Sequence, residues 1–217
     1  LPEAIVLRHG NRCHHPAKDT IPASSASTVA QQQWVSRAGK KLFEALKSFE
    51  VKVEGKTALD VGSSTGGFTQ VLLYEGAEKI TSVDVGTDQL HSSLRSDARI
   101  SLLEQTDIRD ISSRLKDSFD LVVVDVAFIS LSKIIKDIEF VSRKEGDIIL
   151  LYKPQFEVGK QNISKNGVVK KETDTQKILG HFLKSLEKSS LYFVKCRKAY
   201  ITGKKGNQEL FVHLKKC

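Results

Sequence analysis

Thr57-Ala-Leu-Asp-Val-Gly-Ser-Ser-Thr-Gly-Gly-Phe-Thr69 carries an apolar strand into a glycine-rich turn and then into a helix. Gly62, Gly66 and Gly67 permit tight turning and close backbone approach where a side chain would collide. Asp84, at the end of the next strand, lies where a carboxylate accepts hydrogen bonds from ribose hydroxyls. The outline is that of a site for a nucleoside cofactor.

Outward from this turn, apolar strands and helical segments alternate. Strands are expected at 57–61, 79–85, 100–105, 119–125 and 147–153, with helices near 67–75, 88–95 and 131–140. Short apolar strands covered by helices predict an α/β fold with a mostly parallel sheet buried on both faces, and Asp120-Leu-Val-Val-Val-Asp125 reads as its central strand. Upstream, Leu42, Phe43, Leu46 and Phe49 recur on one face of a helix over 36–50, while Ser36 suits its cap and Lys40, Lys41 and Lys47 occupy the other positions as a basic edge. Downstream, 154–172 reads as a long functional loop and 173–188 as a helix. Strands at 191–198 and 208–214 form a terminal pair, one of them antiparallel to the rest.

At 217 residues the chain can bury a full core as one domain over 34–217, preceded by residues 1–33 as a flexible arm, linker or cloning remnant. His9, Cys13, His14 and His15 cluster in that arm, but their spacing matches no familiar zinc pattern and no metal is expected. The 34 Lys and Arg against 26 Asp and Glu give a net charge of +8, which favours an anionic partner without choosing among RNA, DNA and acidic lipid. Three cysteines, Cys13, Cys196 and Cys217, are too few for a disulfide framework, and no run of about 18 apolar residues occurs. A cytoplasmic protein without stable membrane insertion is expected.

The turn is not a strict dinucleotide fingerprint, and no Lys-Ser or Lys-Thr follows its glycines as a phosphate-binding loop requires. Asp60, just before the turn, is a poor neighbour for pyrophosphate but compatible with the amino group and sulfonium of S-adenosylmethionine. Asp107, closing the third strand, is a candidate for the exocyclic amine of adenine, with a helix cap as the alternative reading. The expected cofactor-binding set is Asp60, Gly62, Ser63, Ser64, Thr65, Gly66, Gly67, Phe68, Asp84, Val85 and Asp107.

Asp125 ends the fourth strand and Lys153 the fifth, so parallel neighbours bring them together across one cleft. A buried ion pair is a poor source of stability, because desolvation offsets attraction, and function explains it better. Lys153 is expected near an acceptor oxygen, oriented by Asp125, with Lys41 adding positive charge nearby. Glu209 enters the last strand, where it either orients a lysine, binds the acceptor or stands as an exposed edge acid.

Seven stretches together resemble the TlyA family, often called hemolysin-like, within the FtsJ-like RNA ribose methyltransferases. They are Val35-Ser-Arg-Ala-Gly-Lys-Lys-Leu42, Ala58 to Thr69, Ser82-Val-Asp-Val-Gly86, Asp125-Val-Ala-Phe-Ile-Ser-Leu131, Lys153-Pro-Gln-Phe-Glu-Val-Gly159, Gly167-Val-Val169 and Gly206-Asn-Gln-Glu-Leu-Phe211. The resemblance implies a Rossmann-like class I methyltransferase fold of seven strands with helices on both faces, and S-adenosyl-L-methionine as methyl donor. It also implies a catalytic set of Lys41, Asp125, Lys153 and Glu209, and methylation of a cytidine 2′-hydroxyl in ribosomal RNA. Full-length members carry an amino-terminal S4-type RNA-binding domain that residues 1–33 do not match, so a catalytic-domain fragment or a missing start is expected.

Ribosomal RNA or a ribosomal subunit is therefore the expected partner, with DNA not expected. Arg37, Lys40, Lys160, Lys165, Lys170, Lys198 and Lys204 border the site in sequence and suit phosphates. Phe128 and Phe156 suit base stacking or the core. The rival readings are a nicotinamide-dependent oxidoreductase on the same fold and a non-catalytic RNA-binding or hemolysin-like protein.

Overall fold

The computed structural model describes residues 33–217, so the His9, Cys13, His14, His15 cluster lies outside the described residues. Among the described residues no group of His, Cys, Asp and Glu is placed to hold a metal, and no helix is long and apolar enough to cross a membrane.

The chain runs α1 (Arg37–Phe49), β1 (Thr57–Val61), α2 (Gly67–Tyr74), β2 (Lys79–Val83), α3 (Ser92–Arg95), β3 (Ile100–Leu103) and α4 (Ile108–Ile111). It continues through β4 (Phe119–Val124), α5 (Ile135–Val141), β5 (Ser142–Tyr152), α6 (Pro154–Glu157), α7 (Thr175–Ser185), β6 (Leu191–Lys198) and β7 (Leu210–Lys216). The seven strands form one sheet in the order β3-β2-β1-β4-β5-β7-β6. Strands β1 to β5 are parallel, and β7 runs antiparallel to both β5 and β6. The strand order reverses between β1 and β4, and a doubly wound sheet opens a crevice at the carboxyl ends of such a pair.

Alternation along β4 explains why both faces are covered. Leu121 and Val123 join Leu42, Leu46, Phe68 and Val71 of α1 and α2 on one side, while Val122 and Val124 join Ile138, Phe182 and Leu183 of α5 and α7 on the other. With no polar face left, the strand reads as a continuous apolar run. At the edge away from the crevice, Asp147 accepts from Lys56 Nζ at 2.6 Å and contacts His213 Nε2 at 2.9 Å, which ties the start of β1 to β5 and β7. Burial alone would raise the Asp147 pKa, but the bonds from His213 and Lys56 outweigh it and hold the group at about 2.

Several boundaries differ from the sequence reading. Strand β5 starts at Ser142, five residues earlier than the expected 147, because Arg143, Lys144 and Glu145 are exposed and hide its first half. The 88–95 helix shrinks to the single turn of α3, capped by His91. The 154–172 interval is not a plain loop but holds α6, a 3-10 turn at Lys160–Asn162 and a bridge between Ile163 and Val169. Ser36 does occupy the cap position of α1, yet its side chain makes no cap hydrogen bond. Its hydroxyl instead lies where a Cβ on Gly67 would sit, so the first turns of α1 and α2 meet closely.

Candidate active site

The glycine turn follows β1 into the crevice. Gly62 has φ +85°, and a Cβ there would lie 2.6 Å from the Asp125 carbonyl oxygen, so only glycine lets the ends of β1 and β4 approach this closely. Substitution by alanine strains both the dihedral and the contact. Gly66 also has positive φ and faces Leu90 and Leu94. Phe68 is buried, its ring 6.2 Å from that of Phe211 on β7.

Polar groups line this turn in an uneven way. Asp84 accepts from Ser64 N at 2.8 Å and Gly86 N at 2.6 Å, bending the β2 exit toward the turn. Asp60 is fully buried, with Oδ2 accepting from Thr69 Oγ1 at 2.7 Å, and Thr69 in turn contacts Ser82 Oγ at 2.8 Å. Asp60 Oδ1 and Ser63 Oγ are buried with no hydrogen-bond partner. A buried carboxylate oxygen without a donor is costly, and a bound ammonium or hydroxyl would satisfy it. These residues therefore fit the amino acid end of S-adenosylmethionine, with Asp84 beside them for a ribose.

Other members of the expected cofactor set lie further out. Thr65 is exposed, Val85 is 71% exposed, and Asp107 caps α4. The Asp107 carboxylate accepts from Arg109 N and Nε, each at 2.9 Å, and pairs with Arg109 Nη2 at 2.6 Å. The cap is thus made, and an adenine amine would have to share that carboxylate.

Burial has a measurable consequence at Asp60. It raises the carboxyl from 3.8 to about 7, against the opposing hydrogen bond from Thr69. The folded chain then keeps a proton that the unfolded chain releases near 3.8, so this contribution to stability is complete below that pH and is lost as pH rises through about 7. Thermal melts of the cofactor-free chain should show this decline between about pH 4 and 7. Asp60→Asn should flatten it, and parallel pH profiles for the two chains would remove Asp60 as the cause.

Next to the turn, four ionisable side chains form two ion pairs. Lys153 Nζ lies 2.6 Å from Asp125 Oδ1, and Lys41 Nζ donates to Glu209 Oε2 at 2.6 Å. Burial raises the Asp125 pKa; Lys153 and Lys41 lower it while Glu209 raises it further, so both pairs act on one carboxylate. Lys41 is buried at 7% exposure and Glu209 at 4%, which corrects the reading of Lys41 as part of a basic helix edge and of Glu209 as an exposed edge acid.

Topology explains the convergence. Asp125 and Lys153 follow the ends of β4 and β5, and Glu209 precedes β7, whose antiparallel course brings its start beside the end of β5. Gly203 leaves room for the Glu209 carboxylate, since a Cβ there would lie 2.6 Å from Oε1. Asn207 accepts from Val169 N and donates to Gly167 O, both at 3.0 Å, locking the β6–β7 connection to the 163–169 segment. Thr69 and Asn207 lie in stretches quoted from the sequence but carry no role there, and Gly203 lies in none of them.

Aromatic and basic groups surround the pairs. Phe156 lies under Lys153 Nζ at 5.9 Å and 5.3 Å from Phe128, which is 93% exposed with φ +65°. Holding a bulky exposed residue in a left-handed backbone is costly and is characteristic of binding sites. Arg37, Lys40, Lys160, Lys165, Lys170, Lys198 and Lys204 are all exposed, in α1, the 154–172 segment and the end of β6 with its following loop.

The FtsJ-like methyltransferase family model matches residues 34–216. The "23S rRNA (cytidine-2′-O)-methyltransferase TlyA" of Campylobacter jejuni is 44% identical over 182 residues, covering 83% of this chain and 70% of that protein. The chain belongs to the TlyA family of FtsJ-like methyltransferases.

A second TlyA protein, the "16S/23S rRNA (cytidine-2′-O)-methyltransferase" of Mycobacterium tuberculosis, is 37% identical over 194 residues, or 89% of this chain and 72% of that one. A crystal structure of a Lactococcus lactis protein named as a candidate hemolysin superposes with a TM-score of 0.81 at 37% identity, covering 86% of this chain and 90% of that one. The described residues thus adopt the seven-stranded, Rossmann-like methyltransferase fold that the resemblance implies.

Proposed function

We propose that this chain is an S-adenosylmethionine-dependent methyltransferase acting on the ribose 2′-hydroxyl of a cytidine in ribosomal RNA. The observation that carries the proposal is the pairing of Lys153 with Asp125 beside the glycine turn, with Lys41–Glu209 acting on the same carboxylate. The printed activities of the Campylobacter and Mycobacterium relatives support the substrate.

When bound, the cofactor supplies a methyl group on a positively charged sulfur. The chain must hold the acceptor oxygen in line and manage its proton. Lys153 Nζ is assigned to that oxygen, either receiving its proton as a free amine or, as an ammonium, stabilising the charge that develops there. Asp125 fixes the direction of Nζ, and Glu209 fixes Lys41 as a second cation beside them. Phe128 and Phe156 would pin the base, and the exposed lysines would hold phosphates without reading sequence.

Asp84→Ala should weaken cofactor binding at least tenfold by calorimetry, since two ribose hydrogen bonds to a charged acceptor are lost. An unchanged dissociation constant would remove Asp84 from the site. Because an amino group favours ionised Asp60, cofactor affinity should rise with pH up to about 7 and then level. The reaction itself is tested by incubating the chain with labelled S-adenosylmethionine and either intact ribosomal subunits or protein-free ribosomal RNA. Label on RNA in either arm is expected, and absence from both would overturn the assignment.

A further inference from the structure

Tyr200 takes no part in the two ion pairs or in either hydrophobic cluster, yet it stands at their border. Its side chain is 70% exposed, and Lys40 Nζ lies 5.6 Å from its ring centroid. Both residues adjoin the site through the backbone. Lys40 precedes the buried Lys41 in α1, and Ala199, just before Tyr200, donates its N–H to Glu209 O at 2.8 Å.

Strand order sets the distance to the other aromatic position. Phe128 follows β4 and Phe156 follows β5, whereas Tyr200 follows β6, two strands beyond β5 in the order β4-β5-β7-β6. Three strand spacings separate β4 from β6, roughly 14 Å. The strands that lead to Phe128 and Tyr200 therefore stand on either side of β5 and β7, which Lys153 follows and Glu209 precedes. Lys198 and Lys204, both exposed, lie on either side of Tyr200 in the chain.

The geometry points to Tyr200 and Lys40 as a second stacking platform, which takes the base of a nucleotide adjoining the methylated one in a single-stranded RNA segment. This rests on the proposed RNA substrate. An exposed aromatic face accepts any base, and an ammonium over one face leaves the other open while standing within reach of a phosphate. The platform would draw the strand across the cleft and present one ribose to Lys153.

The test is affinity for unmodified ribosomal RNA, measured by filter retention with the full chain over a range of salt. Tyr200→Ala should weaken binding about tenfold while leaving the slope of log affinity against log salt unchanged, because a stack and not a phosphate contact is lost. Tyr200→Phe should bind within about twofold of wild type, and Tyr200→Leu should behave like the alanine variant. Lys40→Gln should instead reduce the salt slope by about one. Unchanged RNA affinity in Tyr200→Ala would overturn the platform. So would an equal loss of cofactor affinity or of thermal stability, which marks a structural role. A wild-type chain that binds RNA through Tyr200 but transfers no methyl group would overturn the proposed reaction and leave the platform standing. Methyl transfer with Tyr200→Ala unimpaired in RNA affinity would do the reverse, and a chain that binds no RNA would overturn both.

Discussion

Lys153→Ala should reduce methyl transfer by about a thousandfold or more while S-adenosylmethionine binds within about threefold of wild type. The size of the effect follows from position. Lys153 is the cation paired with Asp125 at the carboxyl end of β5, and general acid–base work and charge stabilisation together supply several kcal/mol of barrier lowering. Asp125→Asn, which keeps the shape but removes the charge, should give an intermediate loss because Lys153 is still present but no longer held. Single-turnover rates with saturating cofactor separate the two variants. Wild-type rates in Lys153→Ala would remove it from the chemistry, and a large loss of cofactor affinity would move it to the binding site.

Removing Glu209 should produce the second large effect, on stability as well as on activity. Lys41 and Glu209 are both nearly buried and bonded at 2.6 Å, so Glu209→Ala leaves an ammonium without a partner inside the fold. Breaking a buried pair on one side costs about 3–5 kcal/mol. For a domain of this size that lowers the melting temperature by roughly 10 °C. The double variant Lys41→Met with Glu209→Leu removes both charges and should recover most of that loss, because apolar replacements avoid the desolvation that an ion pair must overcome. Its methyl transfer should remain low. Activity that recovers with stability would show that the pair serves only the fold.

The glycine turn and β4 were legible because their signals are local. Gly62 is needed where a Cβ would meet the Asp125 carbonyl, and the alternating contacts of Leu121 to Val124 leave an unbroken apolar run. Lys41 was harder to read. Helical spacing alone sets it among the polar positions, and its burial depends on Glu209, 168 residues away in sequence. The first half of β5 was hidden because Arg143, Lys144 and Glu145 are exposed and charged, and the register against β4 shifts there, with Ser142 opposite Phe119 and Asp147 opposite Leu121. Asp107 shows the limit of type and spacing, since an acid after a strand suits either a ligand or a cap, and only the bonds to Arg109 reveal that the cap is made. Tyr200 carried no motif at all; its place beside Glu209 comes from the antiparallel return of β7.

If this cleft methylates a sugar oxygen, the product nucleoside must carry the methyl group on its ribose. Ribosomal RNA treated with the chain and isotopically labelled S-adenosylmethionine should be digested to nucleosides and analysed by mass spectrometry. Labelled 2′-O-methylcytidine is expected with the wild-type chain and none with Lys153→Ala. Label carried on a base, or the same 2′-O-methylated product from both chains, would contradict it.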